Sequence, residues 1–223
     1  MKFLPAFILT LLFTVNAAQA GVVVGGTRLI YDGNKKESSL SVNNPDKMAY
    51  LIQSWIEAAT DAEKVPFIVT PPLFRLDGGK ENVLRVVRAG GNLPADKESL
   101  FWMNIKSIPS VEQDSDKNTL QIAVKTRIKL IYRPQGLKGT PEDVAGTLTW
   151  QRLGNEIQVT NPTPFYMNFQ SISVAGSAVK EVTYVAPGAT ARFALQPSAG
   201  AGNVSWKIIN DYGGTGNEYT KAL

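Results

Sequence analysis

The sequence contains no cysteine and no histidine. Without cysteine there is no disulfide and no thiolate nucleophile, and without histidine the commonest general base is missing. The two absences remove the Ser-His-Asp and Cys-His systems and the usual zinc ligands. A phosphate-binding G-x-x-x-x-G-K-[ST] loop is also absent. The sequence therefore argues against an enzyme, and we predict no catalytic residue, no cofactor and no metal ion.

Only one long hydrophobic run is present, and it lies at the N-terminus. Lys2 precedes an almost purely apolar stretch from Phe3 to Val15, which is followed by the small residues of Asn16-Ala17-Ala18-Gln19-Ala20. This order predicts a secretory signal peptide over residues 1–20 that is cleaved after Ala20. The alternative is an uncleaved membrane anchor, but the run is short of the roughly 20 residues that a span needs.

The rest of the chain has the pattern of a β-protein. Glycine (19) and proline (13) are plentiful, and they separate short β-prone runs at even spacing. The segment from Met48 to Glu57 alternates well, with Tyr50, Ile52, Ser54 and Ile56 on one face. No stretch of 12 residues shows a helical period. The fold class predicted from these features is all-β, with the strand spacing of a β-sandwich.

A domain boundary is predicted after Tyr132. Arg133-Pro134-Gln135-Gly136 interrupts a long strand, and a proline cannot donate a hydrogen bond to a central ladder. The strand pattern restarts afterwards. We therefore expect an N-terminal domain over residues 21–133 and a C-terminal domain over residues 134–223, each of ordinary sandwich size.

Four segments resemble the periplasmic chaperones of pilus assembly, the PapD-like and FimC-like family. The strongest is LPADKESLFWMNIKSIP, from Leu93 to Pro109. The other three are TLQIAVKTRIKLIYRP (Thr119 to Pro134), NPTPFY (Asn161 to Tyr166) and INDYGG (Ile209 to Gly214). They follow the family's order and spacing, and the resemblance spans essentially the whole chain after residue 20.

The resemblance implies a fold and a function. It implies two immunoglobulin-like β-sandwich domains in an L or boomerang arrangement, with a cleft between them. It also implies a periplasmic protein that binds pilus subunits (pilins) and delivers them to an outer-membrane usher. The implied mechanism is donor-strand complementation, a form of strand addition in which the chaperone lends a strand to an incomplete subunit.

The family pattern places the lent strand at Thr119 to Lys129. Leu120, Ile122 and Val124 lie two residues apart, so their side chains project from one face. The resemblance identifies them as the donor residues that fill the open groove of a pilin. From alternation alone, the same three residues could equally form the core face of their own domain.

Arg28 and Lys129 match the two cations with which the family binds the C-terminal carboxylate of a subunit. Charge-assisted hydrogen bonds to a carboxylate are among the strong ones, and fixing one end of a strand also fixes its register. Strict alternation places Lys129 on the face opposite Val124, and the sequence does not say how it reaches the cleft.

Three further charged residues match a network that links the two domains in this family: Arg85, Glu98 and Asp211. The chain also departs from the family in one place, since Ala49 stands where many members have a proline. The connection between Ile108 and Thr119 is short and has no cysteine pair, which predicts the short-loop class of these chaperones.

Two other functions remain open at the level of sequence. A fimbrial subunit or adhesin of similar domains would carry an N-terminal donor extension of alternating hydrophobic residues. Gly21 to Thr27 is too short and too rich in glycine for that role. A carbohydrate-acting enzyme would need a pair of carboxylates in an aromatic cleft, and no candidate pair stands out.

Overall fold

The computed structural model of the chain describes residues 21–60, 64–110, 120–197 and 200–223. The predicted signal peptide over residues 1–20 lies outside these ranges. Residues 111–119, which belong to the connection on which the short-loop prediction rests, also lie outside them. Both therefore stay predictions.

The described residues form seventeen strands and one short helix. The strands are β1 (Val23–Val24), β2 (Arg28–Asp32), β3 (Glu37–Asn43), β4 (Tyr50–Ala58), β5 (Phe67–Thr70), β6 (Leu73–Leu76), β7 (Glu81–Arg88), β8 (Ser99–Pro109), β9 (Val124–Arg133), β10 (Thr149–Leu153), β11 (Glu156–Thr160), β12 (Met167–Val174), β13 (Ser177–Ala178), β14 (Tyr184–Val185), β15 (Thr190–Ala194), β16 (Val204–Ile209) and β17 (Thr215–Lys221). Helix α1 (Pro141–Val144) runs into a 3₁₀ turn at Ala145–Thr147.

The first nine strands form two facing sheets. One has the order β1-β3-β7-β5 and the other the order β2-β9-β8-β4-β6. Alternate residues of β4, such as Tyr50 and Ile52, point into the space between the sheets, as the alternation in the sequence predicts. This core extends along the chain from Leu29 to Tyr132.

The remaining strands enclose a second core. One sheet has the order β10-β11-β15, and the other has the order β13-β12-β16-β17 with β14 paired to β12. Trp206 is buried between them and stacks on Tyr219. This core begins at Ala145 and ends at Ile208, and it shares no buried residue with the first. Two separate cores make two β-sandwich domains, so the all-β prediction is confirmed.

Two details of the strand prediction differ from the structure. Strand β9 begins at Val124 rather than at Thr119, because its pairing with β8 ends where Val124 lies opposite Ser107. Strands β6, β13, β14 and β17 were not predicted; the first three are short, and β17 consists mainly of polar residues. No helix in the described ranges is long and apolar enough to cross a membrane.

Candidate functional site

Strand β9 has one edge that is only partly paired. On one side it pairs antiparallel with β8 from Val124 to Tyr132, which is all of the strand except its last residue. On the other side β2 runs parallel to it, and that pairing covers only residues 129–133 of β9. Among the strands that the structure describes, none pairs with the residues from Val124 to Ile128 on this side. The backbone groups along that edge are therefore available to another strand.

The residues that lead into β9, together with its first residue, form an exposed apolar row. Leu120, Ile122 and Val124 are 87%, 67% and 53% exposed. Farther along the same face, Ile128 and Leu130 are buried in the core of the first domain. The row continues the core face of β9 beyond the end of the sandwich, and its three side chains are not packed in their own domain.

Arg28 and Lys129 lie side by side at the end of this open edge. They are register partners across the parallel pairing of β2 and β9, and Arg28 is the first residue of β2. The Nη1 group of Arg28 donates to the backbone oxygen of Ile209 in the second domain at 3.2 Å. Its Nε is buried and has no hydrogen-bond partner among the described residues. Burial lowers the pKa of Arg28, and this effect exceeds that of the negative charge of Asp211, which acts to raise it.

Lys129 reaches the second domain because of the alternation in β9. Its side chain leaves the outer face of the sheet, opposite the face of Val124, and this outer face meets the second domain. The Nζ of Lys129 donates to Asn168 Oδ1 at 2.5 Å and lies 4.5 Å from the ring centroid of Tyr184. Burial, together with the nearby positive charge of Arg28, lowers the pKa of Lys129 to about 8. No bulge in β9 is needed.

A second cation of β9 ties the two domains together. Arg133 donates from Nε to Glu98 Oε1 at 2.8 Å, and from Nη1 and Nη2 to the two carboxylate oxygens of Asp211 at 2.7 and 2.9 Å. The other oxygen of Glu98 accepts from the backbone N–H of Tyr166 at 2.7 Å. The Glu98 side chain is fully buried, and this burial raises its pKa against the opposing effect of Arg133. Burial acts to lower the pKa of Arg133, but the hydrogen bonds to Asp211 and the charge of Glu98 raise it.

The predicted charge network is therefore wrong in one member. Glu98 and Asp211 do meet, but the cation between them is Arg133 and not Arg85. Arg85 lies on β7 in the other sheet, opposite Ser39 of β3 and Thr70 of β5, and its side chain is exposed. It cannot bridge the domains, because the sheet that contains β7 packs on the far side of the first core.

Three site residues were missed in the sequence. Arg133 has the same parity as Lys129 on β9, and this shared face was the available signal. Asn168 and Tyr184 carried no signal, because a polar residue within a strand of the second domain is ordinarily exposed. Within the described ranges, no group of three or more acidic residues could hold a metal ion.

Models of two protein families match the chain. The model described as "Pili and flagellar-assembly chaperone, PapD N-terminal domain" matches residues 21–138. The model described as "Pili assembly chaperone PapD, C-terminal domain" matches residues 143–220. Together the two matches cover most of the chain.

Curated relatives and solved structures are similar over nearly the full length. The chain is 43% identical to the probable fimbrial chaperone LpfB of Escherichia coli O157:H7, over 97% of this chain and 94% of that protein. It is 45% identical to the chaperone protein FimC of Escherichia coli K12, over 88% of this chain and 82% of that protein. A structure of the Salmonella enterica SafA pilin in complex with the SafB chaperone matches with a TM-score of 0.85 and 40% identity, over 93% of this chain and 99% of that chain. The Escherichia coli chaperone DraB matches with a TM-score of 0.81 and 42% identity, over 91% and 96% of the two chains.

Proposed function

Since the chain belongs to the PapD-like family of pili assembly chaperones, we propose that it binds pilin subunits in the periplasm and delivers them to an outer-membrane usher. It is a binding protein and not an enzyme. It acts by strand addition, in which the open edge of β9 supplies a strand that the subunit lacks. The observation that carries this proposal is the open edge of β9, which ends at the paired cations Arg28 and Lys129.

The geometry of the edge gives the direction of the incoming strand. Strand β2 occupies the position beside residues 129–133 of β9 and runs parallel to β9. An added strand beside residues 124–128 takes the position that β2 leaves empty. If it also runs parallel to β9, its C-terminus arrives beside Arg28 and Lys129. A terminal carboxylate at that point meets two cations and the unpaired Nε of Arg28.

The apolar row provides the hydrophobic part of the binding energy. Leu120, Ile122 and Val124 are more than half exposed, so they have apolar surface to bury in a subunit. Each fully buried aliphatic side chain contributes roughly 1.5–3 kcal/mol, before the cost of ordering the segment. The spacing of two residues allows all three to enter one groove, because they share a face of the strand.

The two cations provide register as well as affinity. A charge-assisted hydrogen bond contributes about 1.5–3 kcal/mol. Because the carboxylate can lie at only one point along the edge, it fixes which subunit residue meets Leu120, Ile122 or Val124. A shift of one residue would turn the subunit's side chains to the other face.

Co-expression with the pilin genes that neighbour its own tests the proposal directly. We expect a 1:1 periplasmic complex that is recovered by size exclusion, and a proteolysed or aggregated subunit when the chaperone is omitted. Recovery of the subunit in the same soluble, monomeric state without the chaperone would contradict the proposal.

Extending the subunit tests the register. Adding one residue to its C-terminus turns the subunit side chains that faced the apolar row to the other face of the strand, because the carboxylate still fixes the end of the strand. Adding two residues restores the facing but, with the carboxylate held at the two cations, shifts the subunit's side chains by about 6.6 Å along the apolar row. We expect both extensions to reduce complex formation. An internal two-residue insertion in a subunit loop is the matched control and should leave the complex intact.

A further inference from the structure

Two residues of the second domain hold the ammonium group of Lys129. Asn168 on β12 accepts a hydrogen bond from Nζ at 2.5 Å, and the ring of Tyr184 on β14 lies 4.5 Å from Nζ. The two residues are register partners across the pairing of β12 and β14, so they form one adjacent pair on the sheet. The ammonium group therefore lies between a carbonyl oxygen and an aromatic face that belong to the other domain.

Both residues are fixed by their own domain. Asn168 is only 3% exposed, and its Nδ2 donates to the backbone oxygen of Tyr166 at 3.4 Å. The ring of Tyr184 packs against the ring of Tyr166 at a centroid distance of 5.8 Å. Each side chain therefore has a contact within its own domain in addition to its contact with Lys129. A buried amide oxygen and an aromatic ring that are held in place by their own domain form a binding position for a cation.

A lysine depends on such contacts to fix the position of its charge more than an arginine does. Its ammonium group is a point charge on a flexible four-carbon chain, so the charge has no fixed position without contacts. An ammonium group has three N–H donors, and Asn168 uses one of them. Two donors remain for a ligand, on a group that is held beside Arg28.

We propose that Asn168 and Tyr184 are positioning residues of the carboxylate anchor, which hold the Lys129 ammonium where a subunit's C-terminus arrives. The inference rests on the proposed function. The anchor is then built by both domains: the first supplies the cations and the second fixes the position of one of them. The bridge between Glu98, Arg133 and Asp211 maintains the domain arrangement that this requires.

A pair of synthetic peptides tests the inference. Both have eleven residues with valine at alternate positions, and they differ only in ending with a free carboxylate or an amide. The dissociation constant of the amide peptide divided by that of the carboxylate peptide measures how strongly the protein prefers the carboxylate. We expect Asn168→Leu, which removes a hydrogen bond to the ammonium, and Tyr184→Leu, which removes the aromatic face beside it, each to reduce this ratio by about tenfold. Tyr184→Phe retains the ring and Asn203→Leu changes an exposed asparagine of the same domain, so both should keep the wild-type ratio.

The pH profile separates positioning from a merely structural role. The groups near the ammonium are Arg28 on β2, Trp102 on β8, Arg127 and Arg133 on the same face of β9, Asn168 on β12 and Tyr184 on β14. The ammonium of Lys129 has a pKa of about 8. Asn168→Asp places a negative charge against the ammonium, so the pH at which the carboxylate preference is lost should rise well above 8.

Four results would overturn the inference. An unchanged ratio in Asn168→Leu and Tyr184→Leu, in proteins that still fold, would show that the contacts do not matter. A larger ratio in Asn168→Leu would show that Asn168 competes with the carboxylate. If the wild-type protein binds both peptides equally, the carboxylate anchor itself is wrong, and this assignment fails with it. If the leucine variants do not fold, an unmoved pH midpoint in Asn168→Asp decides against the inference.

Discussion

Arg28 and Lys129 are register partners in adjacent parallel strands, so two positive groups lie side by side at a partly buried position. The pKa values of both are lowered, first by burial and, for Lys129, also by the charge of its neighbour. Two like charges without a carboxylate between them destabilise the free protein. The arrangement is typical of a binding site for an anion, because the ligand supplies the missing charge.

Removing either cation should weaken subunit binding without unfolding the chaperone. We expect Arg28→Met and Lys129→Met each to weaken the binding of a subunit by about 10- to 100-fold, the effect of one charge-assisted hydrogen bond. Because the charges are poorly solvated, the melting temperature should stay the same or rise. Calorimetric titration and thermal unfolding measure the two quantities. Lys125→Met, on the same strand and half-exposed, is the control and should bind normally. Wild-type yields of complex from both cleft variants would disprove the anchor.

Binding should weaken in alkaline solution. The ammonium of Lys129 loses its proton with a pKa of about 8, so above this pH the free chaperone must take up a proton to bind a carboxylate. The dissociation constant should therefore be constant between about pH 5 and 7, where a terminal carboxylate stays ionised, and should rise by up to about tenfold per pH unit above 8. Titrations from pH 5 to 10 measure this. In Lys129→Met the alkaline rise should disappear, and a rise of the same size in that variant would assign the titration to another group.

The apolar row should matter for binding and not for stability. Leu120 and Ile122 are 87% and 67% exposed, so Leu120→Ser and Ile122→Ser remove no buried contact from the free protein. We expect unchanged unfolding by urea and a loss of about tenfold or more in subunit affinity for each. Ile128→Ser is the informative contrast, because the same type of change on the same face now falls in the core, where Ile128 is 5% exposed. That variant should be destabilised by several kcal/mol, of order 2–5. A stability loss in Ile122→Ser comparable to that of Ile128→Ser would contradict the assignment.

Arg133 and Arg85 should differ sharply in their effect on stability. Arg133→Met leaves the buried carboxylate of Glu98 without its cation, and breaking a buried ion pair by removing one partner costs about 3–5 kcal/mol. Arg85→Met changes an exposed residue of β7 and should cost no more than about 0.5 kcal/mol. Urea unfolding of the two variants measures the difference. Equal effects would restore Arg85 to the network.

Several features of the site follow from local patterns in the sequence. The alternation of Leu120, Ile122 and Val124 places them on one face of a strand, and the same alternation places Lys129 on the other face. The absence of cysteine and histidine removes most catalytic chemistry. Turn residues and strand spacing predict two β-sandwiches, because they depend on nearest neighbours along the chain.

Other features depended on contacts that alternation does not encode. Parity shows that Lys129 and Arg133 share a face, but not that this face meets the second domain. Asn168 and Tyr184 lie 39 and 55 positions from Lys129 in the chain, and only the packing of the domains brings them to its ammonium group. The choice of Arg133 over Arg85 was also decided there, since both are strand arginines and differ only in which sheet holds them. The sequence by itself determined the strands and their faces, because these are local; the tertiary structure decided which faces meet, because that depends on how the two cores pack.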